Sequence, residues 1–316
     1  MSRIGANLGD YIEKAVYYQR CTQVRFRFCC FVVVDYLQTF PSEVSLVWPR
    51  QWSTVKVLFM LSRYLPFVYA PLTLWVGLQK GASLSACAMA FGASSVLIVV
   101  SMMLAEAIMF IRLYALSGHK KRMCAWLLFQ FLGVHVTVFV VFSLFVKSVK
   151  FIPSPLSSIP GCIPYRFDSR KLLIVFGMVV ASQLAIILMT TWIGIHKFRS
   201  SGSPILLVFY RDGFFYFVSL TLVTIGNIIF DRRAPPELRF MLTLPQGVLH
   251  SVLACRLILH IYDFARRELY DSRGWGGDKT GTGLDFARDP TTHHDTFGDS
   301  EETTVAGFGT RSGVSV

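Results

Sequence analysis

The 316-residue chain is 53% hydrophobic and only 16% charged, against about a quarter charged in soluble domains. Its net charge of +12 is uneven: residues 271–316 hold eight acids against four bases, so residues 1–270 carry +16. The apolar residues come in blocks instead of alternating, which excludes an outer-membrane barrel, and the basic residues lie between blocks instead of on one patch, which argues against nucleic-acid binding.

A bilayer core takes about 20 apolar residues per helix, and seven blocks follow in chain order. The first, FRFCCFVVVDYLQTF, is the weakest, because Arg25 and Arg27 open it and Asp35 interrupts it. Snorkelling arginines lengthen such a span, and a start near Tyr17 is expected. Block two runs from Ser53 to Leu78, block three from Ser83 to Ala105 and block four from Met123 to Val146. Blocks five, six and seven cover Leu172 to Ile195, Gly213 to Phe230 and Phe240 to Tyr262, the last interrupted by Arg256. The gaps SGHKKR, KFRSSGSP and DRRAPPELR are rich in Gly, Pro, Ser and basic residues.

This pattern predicts an all-α polytopic membrane protein, a seven-transmembrane helix bundle over residues 17–264. A short N-terminal segment, 1–16, precedes it, and the Gly-, Thr- and Asp-rich residues 265–316 follow as a disordered cytosolic tail. No cleavable signal-peptide pattern is visible, so an internal span is expected to direct insertion. Seven spans place the N-terminus outside and the C-terminus in the cytosol, with SGHKKR, KFRSSGSP and DFARRE on one face. The opposite loops also carry Lys and Arg, so charge counting alone does not fix the orientation.

The stretch Asp35–Pro66, DYLQTFPSEVSLVWPRQWSTVKVLFMLSRYLP, resembles the signature of a large fungal family of multi-span membrane proteins known only by a domain of unknown function near its N-terminus. The acid of span one, then Glu43, Val44 and Trp48 of the first loop, Trp52, and the Arg63-Tyr64-Leu65-Pro66 run of span two carry the resemblance. IRLYALSGHKKR (with Tyr114), FYRDGFFYF and VLHSVLACRLIL are similar to its other recurrent segments. The chain departs from it at Val34 and the two arginines upstream. The resemblance implies a fungal, seven-span, receptor-like protein of no established activity.

An ionisable residue inside a span costs a few kcal/mol unless paired. With the C-terminus in the cytosol, Asp35, Arg63, Glu106, Arg112 and Arg256 fall in the inner half of the bundle, so two acids and three bases are expected to form an intramembrane charged network. That network is either a switch between two pairings, with Glu106, Arg112 and Tyr114 ending span three, or a static scaffold fixing helix register. Cys87 in the outer part of span three and Cys162 in the following outer loop are placed for a disulfide. No metal site is legible: His135, His250 and His260 lack the three-ligand arrangement that zinc needs, and nothing asks for a cofactor. Span seven has no Lys for a retinal Schiff base, and Pro245–Gln246 occurs once where small sugar transporters need it twice. The expected function is a receptor-like sensor in the plasma membrane or an endomembrane, coupling to a cytosolic signalling partner. The alternative is a transporter or lipid-handling carrier; no catalytic constellation favours an enzyme.

Overall fold

A computed structural model describes residues 2–79, 83–152, 163–201, 204–234, 238–239 and 241–274. The chain divides into a unit of residues 1–271, which holds the helices, and residues 272–316, of which 275–316 lie outside the described residues. The elements in order are α1 (Ser2–Leu46), α2 (Thr54–Tyr64), α3 (Pro66–Leu78), α4 (Leu84–Leu116), α5 (Lys121–Ser148), β1 (Lys150–Ile152), β2 (Ile163–Arg166), α6 (Ser169–Ser201), α7 (Pro204–Arg233) and α8 (Thr243–Gly274). Helices α2 and α3 are two halves of one helix bent at Pro66, which gives seven helices among the described residues.

Six of them are long and apolar enough to cross a membrane: Thr54–Leu78, Leu84–Leu116, Lys121–Ser148, Ser169–His196, Phe214–Arg233 and Thr243–Arg267. They coincide with blocks two to seven. Their outward surfaces carry Phe129 at 79% exposure, Leu188 at 70% and Met89 at 69%. Side chains this apolar and this exposed belong against lipid tails. The chain is an integral membrane protein.

Helix α1 differs from the expectation. It is one unbroken helix of 45 residues, with Pro41 inside it, and begins well before Tyr17, where the first span was expected to start. Proline removes the bond to the carbonyl four residues back and crowds it; Pro41 and Leu37 are both exposed, so the freed carbonyl lies on the outer face where the helix can give way. Glu43, expected in a loop, therefore sits in its last turn. At the other end of the chain, α8 continues to Gly274, past the boundary expected at 264.

Local signals set the other ends. Ser53 and Ser83 are N-caps, their hydroxyls accepting from Lys56 N and Ala86 N. Helix α4 closes in a Schellman turn: Gly118 N donates to Ala115 O at 3.1 Å and His119 N to Tyr114 O at 3.4 Å. Both Gly118 (φ 78°) and His119 (φ 59°) are left-handed there. Asp168 starts α6 by accepting from Arg170 N at 3.1 Å. Its hydrogen bond to Lys171, with help from Arg170, holds the carboxyl below its ordinary value. A depressed carboxyl contributes stability above its unfolded pKa of about 3.9 and loses it as pH falls through the folded value. Asp168→Asn is expected to flatten that acid limb of a pH-resolved unfolding curve.

The bend at Pro66 has its own repair. Pro66 has no N–H to offer the Ser62 carbonyl, and the Ser251 hydroxyl of α8 donates to that carbonyl instead. Ser251→Ala is expected to cost about 1–3 kcal/mol of unfolding free energy, the price of a buried acceptor left bare. Close packing of α8 against α4 relies on Gly247: a Cβ there would lie 2.8 Å from Ile98 Cγ2. Ile98 is buried and β-branched, so it yields poorly. Gly247→Ala is expected to destabilise by about 1–3 kcal/mol in thermal unfolding of the micelle-bound protein.

Candidate functional site

The end of α1, the end of α2 and the middle of α8 meet in a buried charged cluster. Arg63 on α2 is its centre, 4% exposed. Its Nη1 lies 3.1 Å from Asp35 Oδ2, and its Nε lies 3.1 Å from Glu43 Oε2. Nη2 donates to the Tyr36 carbonyl at 3.2 Å and to Thr39 Oγ1. Four of the five guanidinium hydrogens are thus used, and the plane lies 4.9 Å from the Tyr36 ring. Asp35 is shared: its other oxygen accepts from Arg256 Nε at 2.6 Å, and Arg256 Nη2 reaches Gln38 Oε1 at 3.3 Å.

Glu43, fully buried, takes three donors. Besides Arg63 it accepts from Tyr64 OH at 2.8 Å and Trp48 Nε1 at 3.3 Å, both on Oε1. The short loop between α1 and α2 is closed from inside by Lys56, whose Nζ donates to Trp48 O at 3.0 Å and Arg50 O at 2.5 Å. Its ammonium also stands 5.0 Å from the Trp52 ring. Arg50 stacks over Tyr262 of α8 at 4.0 Å. Arg63 from inside and Arg256 from the exposed edge match the two buried carboxylates in charge.

Of the five residues expected in one network, Asp35, Arg63 and Arg256 are together. Glu106 stands apart on α4: its Oε2 lies 3.5 Å from His135 Nε2 on α5. The reason is geometric, since the inner-facing side of α1 supplies a second acid, Glu43, that saturates Arg63. Arg112 lies near the end of α4, half-buried, and Tyr114 donates to the His119 carbonyl at 3.4 Å within the Schellman turn. Pro66 is the bend. Trp48 and Trp52 flank the loop at 52% and 76% exposure. Cys87 is disulfide-bonded; Cys162 lies outside the described residues, and the other five cysteines are free thiols.

A second polar group crosses the mid-bundle. Asn227 Nδ2 donates to Gln246 Oε1 and Gln246 Nε2 to Thr224 Oγ1 at 3.1 Å; the Thr224 hydroxyl, which reaches the Leu220 carbonyl at 2.9 Å, lies 3.3 Å from Gln183 Oε1. Gln183 Nε2 then meets His250 Nε2 at 3.3 Å, while His250 Nδ1 faces the Gln246 carbonyl at 2.9 Å. These uncharged side chains link α6, α7 and α8. At His135, Nδ1 faces the Phe131 carbonyl at 2.8 Å and must carry a hydrogen. The contact between its Nε2 and Glu106 is therefore attractive only with one further proton between the two groups. A cavity of about 30 Å³ adjoins the pair, room for a water or two. Sequence reading missed this polar group; its one signal was uncharged amide and hydroxyl residues inside long spans. No group of three metal-ligating side chains occurs among the described residues.

Residues 28–68 match a family of unknown function (DUF6533). That stretch holds Asp35, Glu43, Lys56, Arg63 and Tyr64, so the match falls on the charged cluster. No curated protein matches the chain.

Proposed function

We propose that this is a receptor-like membrane protein of fungal type, crossing the bilayer seven times with α1 as the first span and the C-terminus in the cytosol. Asp35 carries the reading. One buried carboxylate is divided between Arg63, which is enclosed, and Arg256, which is 48% exposed in its side chain. Arg256 has water and Gln38 as alternatives, so α8 can leave Asp35 at less cost than Arg63 can. The cluster is then a latch between α8 and the α1–α2 pair, on the same face as the Lys120–Arg122 turn offered to a cytosolic partner. The Cys87 disulfide is assigned to Cys162, on the opposite, oxidising face.

The test is a distance. Spin labels on Cys124 and on a cysteine introduced at Arg267, with the other free thiols replaced, report the inner end of α5 against that of α8. Asp35→Asn is expected to add a second, longer population. A distribution identical to that of the parent would remove the latch and with it the receptor reading. The second reading, a transporter or lipid-handling carrier, is favoured by the uncharged polar side chains that meet in mid-membrane. It predicts that Gln183→Leu alters solute flux in vesicles.

A further inference from the structure

About 15 Å along α1 from Asp35, at 1.5 Å per residue, a second arginine is buried. Arg25 is 8% exposed, and its Nε has no hydrogen-bond partner. It lines a cavity of about 40 Å³ walled by α1, α3, α4, α5, α6 and α8. None of the lining residues is acidic, and no ion pair among the described residues includes Arg25. A mostly buried guanidinium whose Nε is unpaired and which has no counter-charge is costly, so this position asks for an anion.

The rest of the cavity fits one. Thr243 Oγ1 is buried and without a hydrogen-bond partner. The Ser95 hydroxyl is a further donor on the same wall. The hydroxyls of Ser94 and Thr73 are turned to their own helices, donating to Phe91 O at 3.0 Å and Tyr69 O at 2.7 Å, so they present lone pairs that bound water can satisfy. Phe91, Phe142, Phe145 and Leu172 close the remaining surface and keep the dielectric low. Gly77 makes the place for the guanidinium: a Cβ there would stand 3.3 Å from Arg25 Nη1 and 3.1 Å from Thr22 Oγ1. The volume is that of about three waters, which limits the occupant to a small ion. Over the outer end lies the β1–β2 hairpin, whose Phe151 packs on Phe91 at 5.5 Å between ring centroids.

We propose that this cavity is a binding site for a small monovalent anion, a halide or a short carboxylate, held by the Arg25 guanidinium with Thr243 and Ser95. This deepens the receptor-like reading, since it supplies a ligand class in the half of the bundle away from the latch.

The experiment is thermal unfolding of the full chain in lipid nanodiscs, titrated with sodium chloride and with sodium acetate. Sodium gluconate, a carboxylate too bulky for the cavity, holds the ionic strength constant. A ligand that binds only the folded state raises Tm with concentration, so a saturable rise of several degrees is expected with chloride, acetate or both. Which of them gives the rise identifies the source. Arg25→Gln should abolish the response and Arg25→Lys retain part of it. Gly77→Ala should weaken it at unchanged charge, and this variant decides the matter where Arg25→Gln does not fold. Gluconate matching both probes in the parent protein, or a full response surviving in Arg25→Gln and Gly77→Ala, would overturn the site. Binding is read here without any signalling output. Its failure would leave the latch distance to be judged on its own, and a failed latch would leave the anion site standing.

Discussion

Arg63→Met is expected to lower the unfolding free energy by about 3–5 kcal/mol, because it strands Glu43 in the bundle interior and leaves Asp35 only the half-exposed Arg256. The methionine fills much of the same volume, so the loss is electrostatic and not a cavity effect. Arg63→Lys should recover only part of it. An ammonium cannot fork to two carboxylates and a carbonyl at once, as the guanidinium does. Adding Glu43→Gln to Arg63→Met should restore some stability, since one buried charge fewer remains unpaired. Equilibrium unfolding in mixed micelles measures all three. A loss below about 1 kcal/mol for Arg63→Met, the size of a surface pair, would mean that water reaches the guanidinium.

The second large effect is expected at the contact between Glu106 and His135. His135→Leu leaves a carboxyl group buried among Val99, Met102 and Val138 with its acceptor gone, and should cost about 1–3 kcal/mol. Glu106→Gln should be much milder, because the amide N–H donates to the same Nε2 lone pair. The double variant Glu106→Leu/His135→Leu removes both polar groups and should be more stable than His135→Leu alone. A double-mutant cycle should then show a coupling of about 1–3 kcal/mol. Additive losses would show that the two side chains do not share a proton.

Much of the architecture was legible in the residues themselves. Six apolar blocks declare six spans because lipid leaves no choice: a helix must cover the hydrocarbon thickness with side chains that tolerate it. The charged cluster was half legible. Asp35, Arg63 and Arg256 are expensive in their blocks, and the alternation of direction put them at one depth. Glu43 was not, because it was expected in the first loop, whereas α1 continues through Pro41 and carries it in its last turn. Glu106 shows the opposite limit. Depth alone put it with the arginines, but which face of α4 it occupies depends on packing, and packing turned it to His135. The mid-bundle amides and Arg25 were illegible for another reason. Gln183, Gln246 and Asn227 carry no charge to flag them, and Arg25 reads as a snorkelling flank until the cavity around it is seen.

The proline of α2–α3 and the serine of α8 make one joint out of three helical segments. Sliding α8 along its axis by a single turn would carry Ser251 about 5.4 Å from the Ser62 carbonyl and leave an amide oxygen bare in hydrocarbon. Turning α8 about that contact leaves the oxygen served. The joint is therefore stiff to pistons and compliant to swivels. Thr73 and Val76 lie on the α3 arm beyond it and Arg63 on the α2 arm before it. Motion passed between the two faces of this protein thus has an axis to turn on, and that axis is a single hydroxyl group.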